Sequence, residues 1–407
     1  MKLLFISDNF PPEVNAPATR TFEHCQFWVR EGVEITVLTC APNFPQGKVY
    51  PGYKNKLVQV EYLSNIRVIR VWSYISANEG FLKRTIDYFS FAVMATIASL
   101  FVKTDIIVAT SPQFFSAAAG RWISILKRKN WIMEVRDLWP ESIKNVDVLR
   151  DGPIIRFFEW WEKRLYKKAL KIVVVTDSFK ENIAARGISR EKIHVVKNGA
   201  NIALFTPRTK NSTLLEKLKL QNKFVICYIG THGMAHKLDF IMYCALKIKN
   251  PAFHFLFIGT GAEKKNLLRM KQEMQLGNVT MIDPVPKEEV PDYLSCSDIS
   301  LIPLRKSELF KTVIPSKIFE TCAMKIPILL GVEGESKALI EKYRAGLCFE
   351  PENEEDFLEK LNILYLDKKL YEKTRDGCAQ LAKDFDRNLL AYKMYEILKS
   401  HSSVVIQ

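Results

Sequence analysis

Apolar side chains come in short, unbroken runs along the first half of the chain, and segments with helical periodicity separate most of these runs. The predicted strands are Lys2–Ser7, Glu34–Thr39, Ile66–Val71, Ile106–Ala109, Trp131–Glu134 and Lys171–Val175. Arg20–Arg30 is the first helical segment between them. Unbroken Val/Ile runs are typical of parallel strands that are buried on both faces, and strands that alternate with helices predict a doubly wound sheet.

The same alternation begins again in the second half. Its predicted strands are Phe224–Ile229, Phe253–Ile258, Val279–Ile282, Ile299–Ile302 and Pro327–Leu330. The first two end in turns that contain glycine, at Gly230 and at Gly259-Thr-Gly261. Open α/β sheets bind ligands at the carboxyl edge of their strands. We therefore predict the α/β class, with two Rossmann-like, doubly wound domains that face each other across a cleft.

The boundary between the domains is predicted within residues 197–207, where Asn198-Gly199 and Pro207 favour turns. We assign residues 1–200 to the N-terminal domain and residues 201–384 to the C-terminal domain. Asn388–Lys399 has the spacing of an amphipathic helix, and periodicity alone fits packing on either domain. We expect residues 385–407 to pack back on the N-terminal domain.

The composition excludes several classes of protein. Of the 407 residues 48% are hydrophobic, which excludes a disordered or low-complexity chain. The eight Cys never form C-x-x-C, which excludes a zinc ribbon or thioredoxin motif and fits a reducing compartment. The apolar run before Asp8 is too short for a signal peptide, and the longest charge-free runs, Tyr88–Val102 and Ile106–Gly120, fall short of the ~20 residues that span a membrane. These features predict a globular protein of the cytoplasm.

The positive charge is concentrated in the N-terminal half. The chain carries 59 Lys and Arg against 45 Asp and Glu, a net charge of +14, and residues 1–200 hold 29 of the basic and 19 of the acidic residues. A basic half predicts an anionic partner: nucleic acid, anionic lipid headgroups or a phosphorylated substrate.

Two segments of this half combine aromatic and basic residues. Gly80–Lys103 is apolar with basic flanks, which fits a helix in a membrane interface and equally a buried helix between domains. Arg156–Lys171 mixes Phe and Trp with Lys and Arg, a combination that also suits single-stranded nucleic acid. Its 3.6-residue spacing favours a half-buried helix.

The glycine turns lack the motifs of common nucleotide-binding folds. Neither matches a P-loop, and Lys264 stands where a dinucleotide fingerprint needs a third glycine. His232 and His236 are four residues apart, but the Glu of H-E-x-x-H is missing and Gly233 favours a loop, so we predict no metal site. A loop that hydrogen-bonds a phosphate or a sugar hydroxyl is the preferred interpretation.

Two charged segments are candidates for a ligand site. Residues 134–141 contain four charged side chains after a predicted strand, which fits the lining of a cleft or a solvated turn. Further on, Pro315-Ser316 suits the first turn of a helix, where free N–H groups bind anions, and Lys317 adds a point charge for phosphate. Glu320 is placed to accept two hydrogen bonds from a ribose diol, and an ordinary capped helix is the alternative.

Five motifs in order carry a resemblance. They are Phe10-Pro-Pro-Glu13-Val-Asn-Ala16-Pro, Glu134-Val-Arg-Asp-Leu-Trp-Pro-Glu-Ser142, Asn198-Gly199, Gly230-Thr-His-Gly and Thr312-Val-Ile-Pro-Ser-Lys-Ile-Phe-Glu320. Together they resemble family 4 glycosyltransferases of the GT-B fold, and more narrowly the WbuB-type enzymes of bacterial O-antigen and capsule clusters. The resemblance covers nearly the whole chain.

The resemblance implies that the C-terminal domain binds the nucleotide sugar and the N-terminal domain binds the acceptor. The donor-binding residues that it implies are Asn15, Ala16, Gly230, Thr231, His232, His236, Gly259, Gly261, Val285, Pro286, Ile314, Pro315 and Ser316. The catalytic residues that it implies are Asp137, Lys311, Thr312, Lys317 and Glu320, and the acceptor-binding residues are Glu13, Arg136 and Trp139. Glu320 matches the second acid of the family's E-x7-E motif, which binds the ribose.

Three positions depart from the family pattern. Thr312 stands at the first acid of E-x7-E, Thr231 replaces the usual Arg after the first strand of the C-terminal domain, and His236 replaces the usual Lys. The two cations normally neutralise the leaving diphosphate. Lys311, Lys317, Lys237 and His236 are the candidates to substitute for them.

The resemblance implies transfer of a sugar, with N-acetyl-L-fucosamine as the candidate, from a UDP-sugar to a polyprenyl-diphosphate-linked saccharide at the inner face of the cell membrane. It implies a nominally retaining, metal-independent reaction with no cofactor besides the UDP-sugar co-substrate. The partners expected are this donor, the lipid-linked acceptor and the membrane surface, and no nucleic acid. A UDP-HexNAc 2-epimerase of the same fold and a basic nucleic-acid-binding protein are the alternatives.

Overall fold

The protein divides into two compact units. A computed structural model describes residues 1–44, 46–76, 81–111, 114–138 and 152–401. The N-terminal unit comprises Met1–Lys197 and Asn388–Gln407, and the C-terminal unit comprises Asn198–Arg387. The chain therefore crosses from one unit to the other twice.

The described part of the N-terminal unit contains an eight-stranded sheet. Its strands are β1 (Lys2–Ile6), β2 (Glu34–Cys40), β3 (Val58–Leu63), β4 (Ile66–Val71), β5 (Ile106–Thr110), β6 (Asn130–Val135), β7 (Lys171–Val174) and β8 (Ile193–Val195). Their order is β3-β4-β2-β1-β5-β6-β7-β8, and β3 runs antiparallel to β4 while the other neighbours are parallel. The order reverses between β1 and β5, and such a switch point opens a crevice at the carboxyl ends of the strands.

Strand β3 was not predicted, because its residues do not form an apolar run. Val58, Val60 and Tyr62 alternate with more buried residues and are exposed on an edge strand. Ser64 and Asn65 join β3 to β4 with φ values of 50° and 63°. Two successive positive φ values are what a two-residue type I′ hairpin loop requires.

The described helices of this unit that follow the chain from β1 to β8 are α1 (Ala16–Arg30), α2 (Phe81–Ser99), α3 (Phe114–Lys127), α4 (Pro153–Lys168) and α5 (Asp177–Ala185). The spacing of α4 predicts a half-buried helix, and the structure confirms it: Ile155 and Leu165 are buried, while Phe157 and Trp160 are 52% and 53% exposed. Within the described ranges, no helix combines the length and the apolar character needed to cross a membrane.

The C-terminal unit contains a six-stranded parallel sheet. Its strands are β9 (Phe224–Ile229), β10 (Phe253–Ile258), β11 (Val279–Ile282), β12 (Ile299–Pro303), β13 (Ile328–Gly331) and β14 (Gly346–Cys348), in the order β11-β10-β9-β12-β13-β14. Its helices are α6 (Ser212–Lys217), α7 (Leu238–Lys247), α8 (Lys264–Glu273), α9 (Val290–Ser295), α10 (Lys317–Ala323), α11 (Glu335–Tyr343), α12 (Glu354–Leu366) and α13 (Lys368–Asp384). The switch point lies between β9 and β12.

Both faces of this sheet are covered. Ile226 and Tyr228 of β9 join a core that α7 and α12 close on one side, whereas Val225 and Cys227 join a second core on the other side. Since every one of these side chains is buried, the strand is an unbroken apolar run in the sequence. The two sheets confirm the predicted class of two Rossmann-like α/β units.

The final helix, α14 (Arg387–Lys399), packs on α1 of the N-terminal unit. Trp28 donates its indole N–H to the carbonyl of Ala391 at 2.8 Å. The rings of Phe27 and Tyr392 meet edge to face at 6.4 Å. Helix α14 therefore contacts the first helix of the chain, and its residues Leu390, Ala391, Met394 and Leu398 are buried.

A buried ion pair fixes the end of the N-terminal unit at the first crossing. Nε of Arg20 on α1 lies 3.0 Å from a carboxylate oxygen of Glu134 on β6, and both side chains are almost wholly buried. Arg20 also donates to the carbonyls of Val196 and Lys197 at 2.9 and 2.8 Å. Burial raises the pKa of Glu134, but the charges of Arg20 and Arg136 and the hydrogen bonds from Thr110 and Arg20 together outweigh burial and hold that pKa below its ordinary value.

Arg20→Ala should destabilise the N-terminal unit by about 3–5 kcal/mol, because it leaves Glu134 as a buried charge without its main partner. The free energy of unfolding in urea measures this loss. The double variant Arg20→Met/Glu134→Leu should recover part of it, since both charges are gone. Arg190→Ala is the control, because its partner Glu181 is exposed and such surface pairs contribute about 0–1 kcal/mol. Equal losses for Arg20→Ala and Arg190→Ala would contradict this account.

Candidate active site

The glycine turns after β9 and β10 pack directly on each other. The amide of Gly230 donates to the carbonyl of Ile258 at 2.9 Å, and the amide of His232 donates to the carbonyl of Thr260 at 2.9 Å. Both turns therefore lie at the carboxyl edge of the sheet, where the sequence analysis placed a ligand site.

Only glycine allows this approach of the two turns. Gly259 has a φ of 143°, and a Cβ there would lie 1.9 Å from the carbonyl oxygen of Gly230. A Cβ at Gly261 would lie 2.4 Å from the carbonyl oxygen of His232. The two glycines of the second turn are thus required by packing, which explains their spacing without a dinucleotide fingerprint.

His232 and His236 flank the ring of Tyr228, at 5.9 and 5.8 Å between ring centroids. The carbonyls of Ile258 and Gly233 approach the two imidazoles, but Nδ1 and Nε2 of His232 and Nδ1 of His236 make no hydrogen bond of normal geometry with the described residues. Burial, with the nearby Lys264 and Lys317 charges, lowers the pKa of His232 to about 4. Burial and Lys317 lower the pKa of His236 to about 3. Both imidazoles are therefore neutral near pH 7.

The ammonium of Lys317 lies in the same place. Its Nζ is 4.0 Å from the centroid of the Tyr228 ring, and a Cβ at Gly230 would lie 2.9 Å from it. The Nζ atom is covered and has no hydrogen-bond partner among the residues that the structure describes. Burial lowers the pKa of Lys317 to about 7.

Glu320, one turn further along α10, has a cationic partner of its own. Its carboxylate lies 3.2 Å from Nζ of Lys287, which follows the loop at Pro286. Both side chains are about one-fifth exposed, so the carboxylate is held and still accessible. Val285 in that loop is partly buried against the core that contains Cys227, and Pro286 is exposed.

The segment before α10 places its polar groups in local contacts. Thr312 donates its hydroxyl to the carbonyl of Leu309 at 2.8 Å. Lys311 forms ion pairs with Glu308 at 2.6 Å and with Glu333 at 3.8 Å. The Thr312 hydroxyl is therefore used in a local hydrogen bond, and the Lys311 charge is paired with two carboxylates. Thr231, at the position of the missing family Arg, is exposed and uncharged.

No side chain in the described part of the chain caps the start of α10 with a hydrogen bond. Ile314 is buried, Pro315 and Ser316 are half-buried, and the Ser316 side chain makes no capping hydrogen bond. Helix α10 has only seven residues. The predicted anion site at its first turn therefore depends on the side chains nearby more than on the helix itself.

In the N-terminal unit, Glu13 makes contacts that stabilise a loop, and Asn15 and Ala16 form the start of α1. Glu13 is buried and accepts hydrogen bonds from the backbone amides of Asn43 and Phe44, at 2.8 and 2.9 Å. Burial raises its pKa above the ordinary value. Asn15 caps α1 by accepting from the amide of Ala18 at 2.9 Å, and Ala16 begins the helix and is exposed. Contact of Glu13 with an acceptor stays a prediction.

The charged segment after β6 begins at the edge that the switch point predicts. The backbone amide of Arg136 donates a hydrogen bond to the hydroxyl of Ser111, just after the neighbouring strand β5, at 2.9 Å. Arg136 and Asp137 are both half-buried. Trp139 lies outside the described residues, so its predicted contact with the acceptor stays a prediction.

Three further residues of the candidate C-terminal site were not predicted from the sequence. Tyr228 supports Lys317 from within an apolar strand, where an aromatic residue indicates only a core position. Lys287 holds Glu320 from 33 positions away. Lys264 donates to the carbonyls of Gly259 and Ile282, at 2.9 and 2.8 Å, and so ties the ends of β10 and β11. No local spacing signals these partnerships.

The two units, each with a mainly parallel sheet, define a two-unit, Rossmann-like α/β protein. Residues 15–199 match the family described as Glycosyl transferase 4-like domain, and residues 211–380 match Glycosyl transferases group 1. The chain therefore belongs to the family 4-type glycosyltransferases of the GT-B fold.

The chain is similar in sequence to two curated relatives and in fold to two solved structures. It is 23% identical over 370 residues to WcaI of Escherichia coli, a glycosyl transferase named for colanic acid biosynthesis, covering 87% of this chain and 90% of the relative. It is 23% identical over 240 residues to the N,N'-diacetylbacillosaminyl-diphospho-undecaprenol alpha-1,3-N-acetylgalactosaminyltransferase of Campylobacter jejuni, covering 58% of this chain and 61% of the relative.

Both structures share the fold over nearly the whole chain. Sucrose-phosphate synthase of Thermosynechococcus elongatus has a TM-score of 0.79 at 15% identity, with 98% of each chain covered. Anabaena HepE in complex with UDP has a TM-score of 0.71 at 14% identity, with 98% of this chain and 100% of that chain covered.

Gly259→Ala should destabilise the C-terminal unit by about 1–3 kcal/mol, because a Cβ forces the two turns apart in a well-packed region. Urea unfolding of the variant tests this. Gly277→Ala is the matched control, since nothing lies within 4 Å of its Cβ position, and we expect it to be neutral or stabilising. If both variants unfold at the same urea concentration, the close approach is not a constraint.

Proposed function

We propose that the protein transfers a sugar from a UDP-sugar to a polyprenyl-diphosphate-linked saccharide in the biosynthesis of a bacterial surface polysaccharide. The observation that carries this proposal is the set of buried polar atoms at the ends of β9 and β10. Nζ of Lys317 and the imidazoles of His232 and His236 lie around the ring of Tyr228, and the ring nitrogens named above and Nζ make no hydrogen bond of normal geometry with the described residues. A nucleotide diphosphate supplies acceptors of the right charge.

The relatives support the substrate class. One is named for colanic acid biosynthesis, and another is named for a diphospho-undecaprenol-linked saccharide as its acceptor. A structural neighbour was solved in complex with UDP. N-acetyl-L-fucosamine is the narrower candidate for the transferred sugar, and it rests on the resemblance to WbuB-type enzymes of O-antigen and capsule clusters.

The reaction needs charge stabilisation at the leaving group. The bond between the anomeric carbon and the diphosphate oxygen breaks, and its electron pair stays on the diphosphate. The acceptor oxygen forms the new bond to the anomeric carbon, and its proton leaves to a base or to solvent. Cations and N–H donors fixed in advance around the diphosphate supply the largest share of such catalysis. Retention of configuration and independence from a metal are the expectations that we carry over from the family.

A surface of the N-terminal unit fits the membrane in which such an acceptor lies. The aromatic surface, which we define as Phe89 on α2, Trp122 on α3 and Phe157, Trp160 and Trp161 on α4, forms a continuous chain of ring contacts. Successive ring centroids lie 5.8 to 6.5 Å apart. Phe89, Phe157 and Trp160 are each about half exposed. Monomeric proteins rarely expose such contiguous aromatic area without a binding role.

Helix α4, which carries three of the aromatic residues, also carries exposed basic side chains. The guanidinium of Arg164 lies 4.7 Å from the Trp160 ring, and Arg156, Lys163, Lys167 and Lys168 on α4 are exposed. Attraction to anionic lipid headgroups contributes ~1 kcal/mol for each Lys or Arg near the surface. Aromatic rings at the headgroup level and cations beside them are the combination that holds a protein peripherally on the inner leaflet. We assign the aromatic surface to the membrane, and not to nucleic acid.

Incubation with UDP-sugars, including UDP-N-acetyl-L-fucosamine, and a polyprenyl-diphosphate-linked saccharide should give UDP and a lipid glycan longer by one sugar. Mass spectrometry of the lipid detects the product, and NMR gives its anomeric configuration. Glu320→Ala should raise the donor KM strongly, because ribose binding is lost in the ground and transition states alike. Glu359→Ala, an exposed carboxylate on α12, is the control.

Two results would contradict this function. Conversion of the donor in the absence of any acceptor would indicate the 2-epimerase instead. Tight, salt-sensitive binding of an oligonucleotide that UDP does not displace would indicate a nucleic-acid-binding protein.

Phe157→Ser/Trp160→Ser should abolish co-flotation with anionic vesicles while the protein stays folded. The unfolding free energy should fall by about 1–3 kcal/mol, because the half-exposed rings lose their contacts with Trp161 and Arg164. Vesicle flotation at low salt, with phosphatidylglycerol or with phosphatidylcholine alone, measures the binding. Tyr243→Ser/Leu246→Ser is the control, because it removes comparable exposed apolar area from α7 in the C-terminal unit. Equal flotation of both double variants would remove the membrane role from the aromatic surface.

A further inference from the structure

The family's two diphosphate-binding cations are absent from this chain, since Thr231 and His236 occupy their positions. Four side chains nearby are candidates to replace them: Lys237, Lys311, His236 and Lys317. The inference below rests on the proposed function, because it concerns how the same site holds a nucleotide. The structure separates the four candidates by their partners.

Three of the four are unsuitable. Lys311 is occupied by Glu308 and Glu333 on the surface. Lys237 pairs with Asp239 at 3.3 Å and with Glu352 at 3.7 Å. His236 is uncharged near pH 7, because burial and the Lys317 charge lower its pKa to about 3.

Lys317 differs from these in having a covered ammonium without a protein partner. The nearest carboxylate that acts on its charge is Glu320, and Glu320 is already paired with Lys287. The contact that Lys317 does make is with the face of the Tyr228 ring, at 4.0 Å. A cation–π contact of this kind offsets only part of the cost of burying an ammonium.

We propose that Lys317, seated on the ring of Tyr228, binds the diphosphate of the nucleotide in place of the family's Arg and Lys, and that neutral His232 and His236 add N–H donors beside it. An ammonium and two imidazoles give the negative oxygens of a diphosphate both charge and hydrogen bonds. Gly230 keeps the space beside Nζ open, because a Cβ there would lie 2.9 Å from it. The partner that the protein does not supply to Lys317 is supplied by the ligand.

Binding of a diphosphate by Lys317 has a signature in pH. The groups that face its ammonium are the Tyr228 ring, Cys227, His232, His236 and Glu320, and burial outweighs the two acidic ones to bring its pKa to about 7 in the ligand-free protein. A bound diphosphate stabilises the charged form and raises that pKa. Nucleotide binding above the ligand-free pKa therefore takes up a proton, and the affinity falls as the pH rises.

Isothermal titration with UDP and with uridine tests the proposal. Lys317→Met should weaken UDP by about 10- to 100-fold and leave uridine unchanged, since a hydrogen-bonded charge is lost from the phosphate alone. Titration in buffers of different ionisation enthalpy, between about pH 7.5 and 8.5 where phosphate groups are fully ionised, should show proton uptake in wild type and none in the variant.

Two controls separate ligand binding from a structural role. Lys337→Met, an exposed lysine on α11, should leave UDP binding and proton uptake as in wild type. In the absence of nucleotide, Lys317→Met should unfold at the same or a higher temperature than wild type, because it removes a buried charge that lacks a counter-ion. A lower unfolding temperature would indicate that Lys317 serves the fold.

The outcomes distinguish this inference from the proposed function. If wild type binds UDP and Lys317→Met binds it equally well, the diphosphate lies elsewhere and Lys317 is not its ligand. If wild type binds neither UDP nor uridine, the proposed function fails, and with it the ground for this inference.

Discussion

Burial of both faces of a parallel sheet is the constraint on which this molecule depends. In β9, alternate side chains enter two different cores, so the strand has little room for polar groups on either face. Most polar chemistry is then expected at the carboxyl ends of the strands, where the chain turns and the order of the strands reverses. In the C-terminal unit this is the place between β9 and β12, and the loop from Gly230 to His236 occupies it. In the N-terminal unit the corresponding place lies between β1 and β5.

The C-terminal site has been built at a cost to the stability of the empty protein. Two imidazoles and an ammonium are covered there without hydrogen bonds of normal geometry to the described residues. Unsatisfied buried polar groups are unfavourable, and stable folds keep few of them. They are grouped around Tyr228 at the carboxyl edge of the sheet, and the proposed diphosphate would provide acceptors for them. The glycines at 259 and 261 allow the two turns to approach closely enough to assemble the group.

The departures from the family pattern acquire a physical explanation from the same cluster. A family member that carries Arg and Lys after its first C-terminal strand has permanent charges on that loop. Here the loop contributes neutral rings, and the charge comes from the start of α10 across the turn. Glu320 keeps its accessible carboxylate because Lys287 neutralises it, which leaves the Lys317 ammonium free of that pairing. In our proposal, the cation that the family places on this loop comes instead from Lys317 at the start of α10.

The α/β class and the bounds of β9, β10 and β11 could be predicted from the amino-acid sequence, as could the candidate segments for a ligand site. Unbroken apolar runs and glycine turns are local properties, so they can be recognised without the fold. Strand β3, whose alternating residues lack that signal, and the three-residue strands β8 and β14 were not predicted. Which polar groups meet could be seen only in the folded protein. Lys317 lies on Tyr228, Lys287 on Glu320 and Arg20 on Glu134 through contacts between segments far apart in the chain, and spacing along the sequence carries no information about such distances. The tertiary structure also decided which charges are free, because Lys311 and Lys317 are alike in the sequence and differ only in the partners that folding gives them.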